Sequence, residues 1–161
     1  MNLAERRRAL MMQQGDGNLA LLSWEGARYV GVTSINDGYS LKTLAFGNMY
    51  TQFARFYLTT MDITEKLWGK KVKVSVDITS SVSGAGPYVR FGYILSDSSW
   101  SDFKLVGMEN GLCEIVYELP TTRPSDMPTS IPLMLFINTQ RYETDPLNTV
   151  TITNVRLEVV E

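Results

Sequence analysis

From Gly17 to the C-terminus the hydrophobic residues of this chain recur at every second position, and that period constrains the fold more than any other feature. Val72, Val74, Val76 and Ile78 alternate with Lys71, Lys73, Ser75, Asp77 and Thr79, which is the pattern of a strand with one buried and one wet face. Val89, Phe91, Tyr93 and Leu95 repeat it. Leu133, Leu135 and Ile137 alternate with Met134, Phe136 and Asn138, so that strand is expected to be covered on both faces. Weaker strands are expected over Leu19–Trp24, Arg28–Thr33, Tyr39–Phe46, Gln52–Leu58, Phe103–Val106 and Cys113–Leu119. Val150 and Ile152 lie on one parity and Val155, Leu157 and Val159 on the other, so a β-bulge is expected near Thr153-Asn154. Turn-formers such as Asn36-Asp37-Gly38, Ser83-Gly84-Ala85-Gly86-Pro87 and Glu109-Asn110-Gly111 separate the runs. Nine or ten short strands with no helices interposed predict an all-β fold, an antiparallel two-sheet jelly-roll sandwich, rather than a parallel α/β one.

The first fifteen residues differ. Asn2 and Glu5 form a capping-box-like pair, and Arg6 to Met12 are helix-tolerant, so a short helix is expected over 1–15 with the sandwich occupying 16–161. Leu3, Leu10 and Met11 share one helical face, and Gly15-Asp16-Gly17 ends the segment. A helix this short is marginal alone in water, so it must dock or self-associate, which makes those three residues oligomerisation candidates. The Arg6-Arg7-Arg8 run reads as a solvated face.

Several function classes are excluded or disfavoured. The chain of 161 residues has no histidine, which removes Ser-His-Asp and Cys-His nucleophilic arrangements and His-containing zinc sites. Cys113 is the sole cysteine, so an intrachain disulfide cannot form, and its neighbours place it in a strand. A net charge of -2 argues against a nucleic-acid partner. No run approaches the ~20 apolar residues of a membrane span, so a soluble chain without membrane insertion is expected. No cofactor is expected: turn carboxylates occur at Asp16, Asp37, Asp62, Glu65 and Asp145, but no Asp-x-Asp-x-Asp run exists, and structural Ca²⁺ is disfavoured. Ser83 to Pro87 lacks the Lys and following helix of a phosphate loop, and the available carboxylate pairs are of chance spacing.

Ala54-Arg55-Phe56-Tyr57-Leu58, the turn Leu67-Trp68-Gly69-Lys70, the alternating Val72 to Ile78, and the closing Ile152-Thr153-Asn154-Val155-Arg156-Leu157 follow one another in the stretch from Tyr50 onward. In that order they resemble jelly-roll modules of the carbohydrate-binding and galactose-binding-like type. The closing Leu157-Glu158 and the opening Glu5 to Met12 are similar to segments of bacteriophage tail, fibre and other virion proteins. The resemblance implies a virion-associated binding or decoration module, made in the host cytoplasm, with other virion proteins as partners and a homo-oligomeric, commonly trimeric, state. No binding residue carries over at a matched position.

Aromatic rings in polar surroundings are the natural candidates for sugar contact, since a flat apolar face meets sugar C–H groups while polar neighbours meet hydroxyls. Trp100, within Asp97-Ser98-Ser99-Trp100-Ser101-Asp102, is expected in a loop and leads the set, with Asp97 beside it. Tyr142 with Arg141 follows, and then Tyr88 and Arg90 after the Gly-rich loop. Trp24 and Trp68 are expected at the core or its edge. The resulting expectation is a non-catalytic module that binds a host surface glycan. Its alternatives are a purely structural, self-associating virion protein and, less favoured, a glycan hydrolase.

Overall fold

The computed structural model describes residues 2–4, 17–45, 52–81, 87–107, 110–139 and 147–160. Among these described residues ten strands run in order: β1 (Ser23–Arg28), β2 (Val30–Ile35), β3 (Gly38–Thr43), β4 (Phe53–Tyr57), β5 (Lys71–Ser80), β6 (Tyr88–Ile94), β7 (Trp100–Gly107), β8 (Gly111–Glu118), β9 (Met134–Asn138) and β10 (Thr149–Val160). They form two antiparallel five-stranded sheets. Sheet A has the order β1-β4-β9-β6-β7 and sheet B the order β2-β3-β10-β5-β8. The chain crosses repeatedly between the sheets, so the fold is the jelly-roll sandwich that the alternation predicts. Leu3 and Ala4 are helical, whereas Leu10 and Met11 lie outside the described residues.

The alternating residues meet between the sheets. Ala54, Phe56, Val89, Phe91, Leu135 and Ile137 from sheet A face Leu41, Val72, Val74, Val76, Ile78, Ile115, Val150, Ile152 and Leu157 from sheet B, all of them buried. Cys113 is buried on β8, and desolvation there pushes its thiol up to about 11. The bulge in β10 is present: its register against β5 shifts between Thr153 and Arg156, with Asn154 at φ +51°. The buried Asn18 fills the irregularity. Its Oδ1 accepts from the Leu157 and Ala20 amides, and its Nδ2 donates to the Val155 carbonyl.

The Leu19–Trp24 strand expectation is corrected. Residues 19–22 cross from one sheet to the other: the Leu19 amide bonds Leu157 O at 2.8 Å and the Leu21 amide bonds Leu58 O at 2.8 Å. Pairing with β4 begins at Ser23, after Leu22 turns the chain at φ +44°. Trp24 is also corrected, being 50% exposed, because β1 is an edge strand whose register breaks between Trp24 and Gly26. Trp68 packs against the core, 6.4 Å from Phe103. A seven-residue helix unforeseen in the sequence, α1 (Met61–Leu67), joins β4 to β5. Thr60 caps it by accepting from the Ile63 amide, and Gly69 at φ +80° turns the chain into β5.

Candidate functional site

The outer face of sheet A is built by the residues that alternate with the core set. On β4 these are Phe53, Arg55 and Tyr57; on β9 Met134, Phe136 and Asn138; on β6 Tyr88, Arg90 and Gly92. Register aligns them in rows across the strands. Phe53, Asn138 and Tyr88 form one row, Arg55, Phe136 and Arg90 the next, and Ser23, Tyr57, Met134 and Gly92 a third. Trp100 pairs with Ile94, one step beyond that third row.

Phe136 anchors the centre. It is only 4% exposed, although its side chain faces away from the core. The Phe53 ring stacks on it at 4.6 Å and the Trp100 ring leans on it at 5.0 Å. The Arg90 guanidinium lies 3.8 Å from the Phe136 centroid and 5.8 Å from that of Trp100, within cation–π range of both. On the β1 side, Arg55 pairs with Glu25 at 2.8 Å and covers Phe53 at 5.5 Å. Met134 and Phe136 are therefore covered by residues of the same chain, as their apolar character requires.

Trp100 opens β7 instead of lying in a loop. The Asp97 carboxylate accepts from the Ser99 amide at 2.9 Å and the Ser99 hydroxyl at 2.6 Å, so the turn closes early and pairing resumes at Trp100. Those two bonds hold the Asp97 carboxyl below its ordinary value. Asp97 thus shapes the turn that presents Trp100. Tyr88 shares the outer face but sits at the far end of β6 from Trp100. Arg141 and Tyr142 lie outside the described residues. Sequence reasoning missed Phe53, Arg55, Glu25 and Phe136 as parts of this face, because only the pairing of β4 with β9 and β1 brings them to Arg90 and Trp100.

Two of the clefts among the described residues adjoin the sandwich. One of about 230 Å³ lies between the β2–β3 hairpin and residues 18–22. The other, of about 440 Å³, lies at the end of sheet A between Ser23, Tyr57, Pro132 and the start of α1. Among the described residues no group of three or more His, Cys, Asp or Glu could hold a metal ion. No helix there is long and apolar enough to cross a membrane.

No protein-family model matches the sequence, and no curated protein matches it. Solved structures are similar in fold. A structure described as CBM4, a carbohydrate-binding module, superposes with a TM-score of 0.59 at 10% identity, covering 93% of this chain and 99% of that one. The N-terminal cellulose-binding domain of Cellulomonas fimi β-1,4-glucanase C gives 0.59 at 10% identity, covering 86% and 90%. A family 29 carbohydrate-binding module complexed with mannohexaose gives 0.50 at 5% identity, covering 86% and 80%. The chain shares the jelly-roll architecture of carbohydrate-binding modules over nearly its whole length.

Proposed function

We propose that this chain is a non-catalytic carbohydrate-binding module that holds a glycan on the outer face of sheet A. The observation that carries this reading is the aromatic run Phe53–Phe136–Trp100, crossed by Arg90, on one sheet face. A fixed ring can take up the apolar face of a pyranose, and the buried Arg90, 7% exposed, lies within cation–π range of the Trp100 ring and helps hold it in place. The ring needs no reorganisation to do so, because Phe136 and Arg90 already hold it. The sugar-binding neighbours of the same fold support the reading without supplying contacts, since fold alone does not fix a ligand.

The test is affinity electrophoresis of the full chain through gels carrying soluble bacterial and plant polysaccharides. Retardation by at least one polysaccharide, lost in Trp100→Ala, is the expected result. Unaltered retardation of the variant would remove Trp100 from the site, and no retardation by any polysaccharide or by host cells would refute the function.

The finer setting we propose is a virion, with a host surface glycan as the ligand. It rests on the order of motifs from Tyr50 to Leu157 and on the opening Glu5 to Met12. Finding the chain in purified particles by mass spectrometry supports that setting, and finding it solely in the cleared lysate refutes it.

A further inference from the structure

The 440 Å³ cleft beside α1 lies at the same end of sheet A as Trp100. Tyr57 and Ser23 belong both to its lining and to the outer-face row that continues through Met134 and Gly92. Three strand intervals separate β4 from β7, about 14 Å at the usual spacing. Between them Gly92 has no side chain, and Met134 is fully buried beneath other residues of the chain. A glycan that lies over Trp100 and is directed toward β4 above that layer would arrive at the cleft.

Its lining has the chemistry of a sugar site. Ser23, Tyr57 and Thr60 bring hydroxyls, Asp62 brings a carboxylate, and Leu21, Met61 and Pro132 bring apolar surface. The Thr60 oxygen accepts from the Ile63 amide, which leaves its proton to donate outward. A carboxylate accepts from two adjacent hydroxyls at once, and an aromatic ring beside it covers a C–H face. Pockets of this kind place a few polar groups within apolar walls.

We infer that this cleft holds a single terminal pyranose, either the end of the glycan chain or a one-sugar branch. The inference rests on the sheet A reading and deepens it: Trp100 supports the body of the glycan while the Tyr57–Asp62 cleft recognises an end. The ligand is then distinguished by its terminal sugar as well as by its backbone.

The test titrates the full chain with methyl pyranosides of glucose, galactose, mannose, N-acetylglucosamine and rhamnose, followed by proton–nitrogen correlation spectra, beside the affinity gels. At least one pyranoside is expected to shift the Ser23, Thr60 and Asp62 amide signals saturably at millimolar to tens-of-millimolar concentration. Asp62→Ala should weaken that response about tenfold, the size expected for losing a charge-assisted hydrogen bond. Tyr57→Phe, which removes one oxygen and keeps the ring, should weaken it less. Both variants are expected to retain part of the gel retardation, because Trp100 is intact. Retention that scales with the number of branches identifies a branch as the source, and retention that scales with the number of ends identifies the chain end. If the gels show Trp100-dependent retention and no pyranoside moves those signals, the cleft inference falls and the sheet A reading stands. The cleft inference falls likewise if both variants leave the pyranoside response unchanged. If neither retention nor shifts occur, both readings fall.

Discussion

Phe136 and Trp100 touch one another, yet truncating them should have opposite consequences. Phe136 is 4% exposed and lies under Phe53, Trp100 and Arg90, so Phe136→Ala empties a filled site and removes the nearer of the two rings beside the Arg90 guanidinium. Removing a buried Phe side chain costs about 3–5 kcal/mol. For a domain of this size each kcal/mol moves Tm by about 2–4 °C, which makes a drop on the order of 10 °C the central expectation. Trp100 is partly exposed at the start of an edge strand, where it leans on the Phe136 ring and the Arg90 guanidinium. An aromatic pair of this kind contributes about 0.5–1.5 kcal/mol beyond its buried area, so Trp100→Ala should cost less than about 2 kcal/mol. Its effect on binding should be the larger one, about 10- to 100-fold in affinity, as for a dominant aromatic contact. Thermal unfolding by circular dichroism and affinity electrophoresis on the same samples separate the two quantities. If Trp100→Ala lowers Tm as far as Phe136→Ala does and binding falls only in proportion to folded protein, Trp100 is a packing residue. The platform assignment is then wrong.

Three further outcomes follow from local chemistry. A Cβ on Gly38 would clash with the Ile152 carbonyl oxygen, which belongs to the β10 backbone and cannot swing aside. Gly38→Ala should therefore destabilise by about 1–3 kcal/mol or more, read as a lower urea midpoint, and an unchanged midpoint would contradict the β3–β10 register. Burial raises the Cys113 pKa from 9.0 to about 11, so its contribution is fully present below pH 9 and is lost as pH rises through 11. The stability difference between wild type and Cys113→Ala should shift against wild type by about 3 kcal/mol over that interval, and a constant difference would place the thiol in water. The Asp97 carboxyl titrates below 3.8, so the turn it closes keeps its bonds above that pH and loses them as pH falls through the lowered value. Glycan retention should hold at pH 5, and Asp97→Ala should weaken it at neutral pH with little change in Tm; full retention by that variant would show that the turn does not position Trp100.

The alternation of β5, β6 and β9 was legible because core and solvent impose opposite demands on successive side chains. The same rule located the β10 bulge, where Val150 and Ile152 change parity to Leu157. It failed at Leu19–Trp24, since a segment that crosses between sheets is as apolar as a strand but bonds Leu157 on one side and Leu58 on the other. It also failed at α1, whose seven residues are too few to display a helical period, though Thr60 and Asp62 at its start and Lys66 in its last turn mark it in retrospect. Arg90 and Tyr88 were legible as leading off β6. Their neighbours Phe53, Arg55 and Phe136 were not, because each comes from a strand distant in sequence and only the pairing order makes them adjacent.

That pairing order also explains how a fold can be shared at 10% identity while the ligand is free to differ. Along β4, Ala54 and Phe56 answer to the core, whereas Phe53, Arg55 and Tyr57 answer to the outer face and to Glu25. Along β9, Leu135 and Ile137 are tied to the core, and Met134 and Phe136 to the outer layer. Any residue that keeps strand propensity can occupy the outer positions without disturbing the interior, provided the layer above Phe136 stays closed. On the proposed reading, the outer parity can therefore set specificity for the body of the glycan without disturbing the core. Exchanging the partly buried Tyr88 for Gln, while keeping Phe136, Arg90 and Trp100, should alter which glycan is retained more than it alters the midpoint of unfolding.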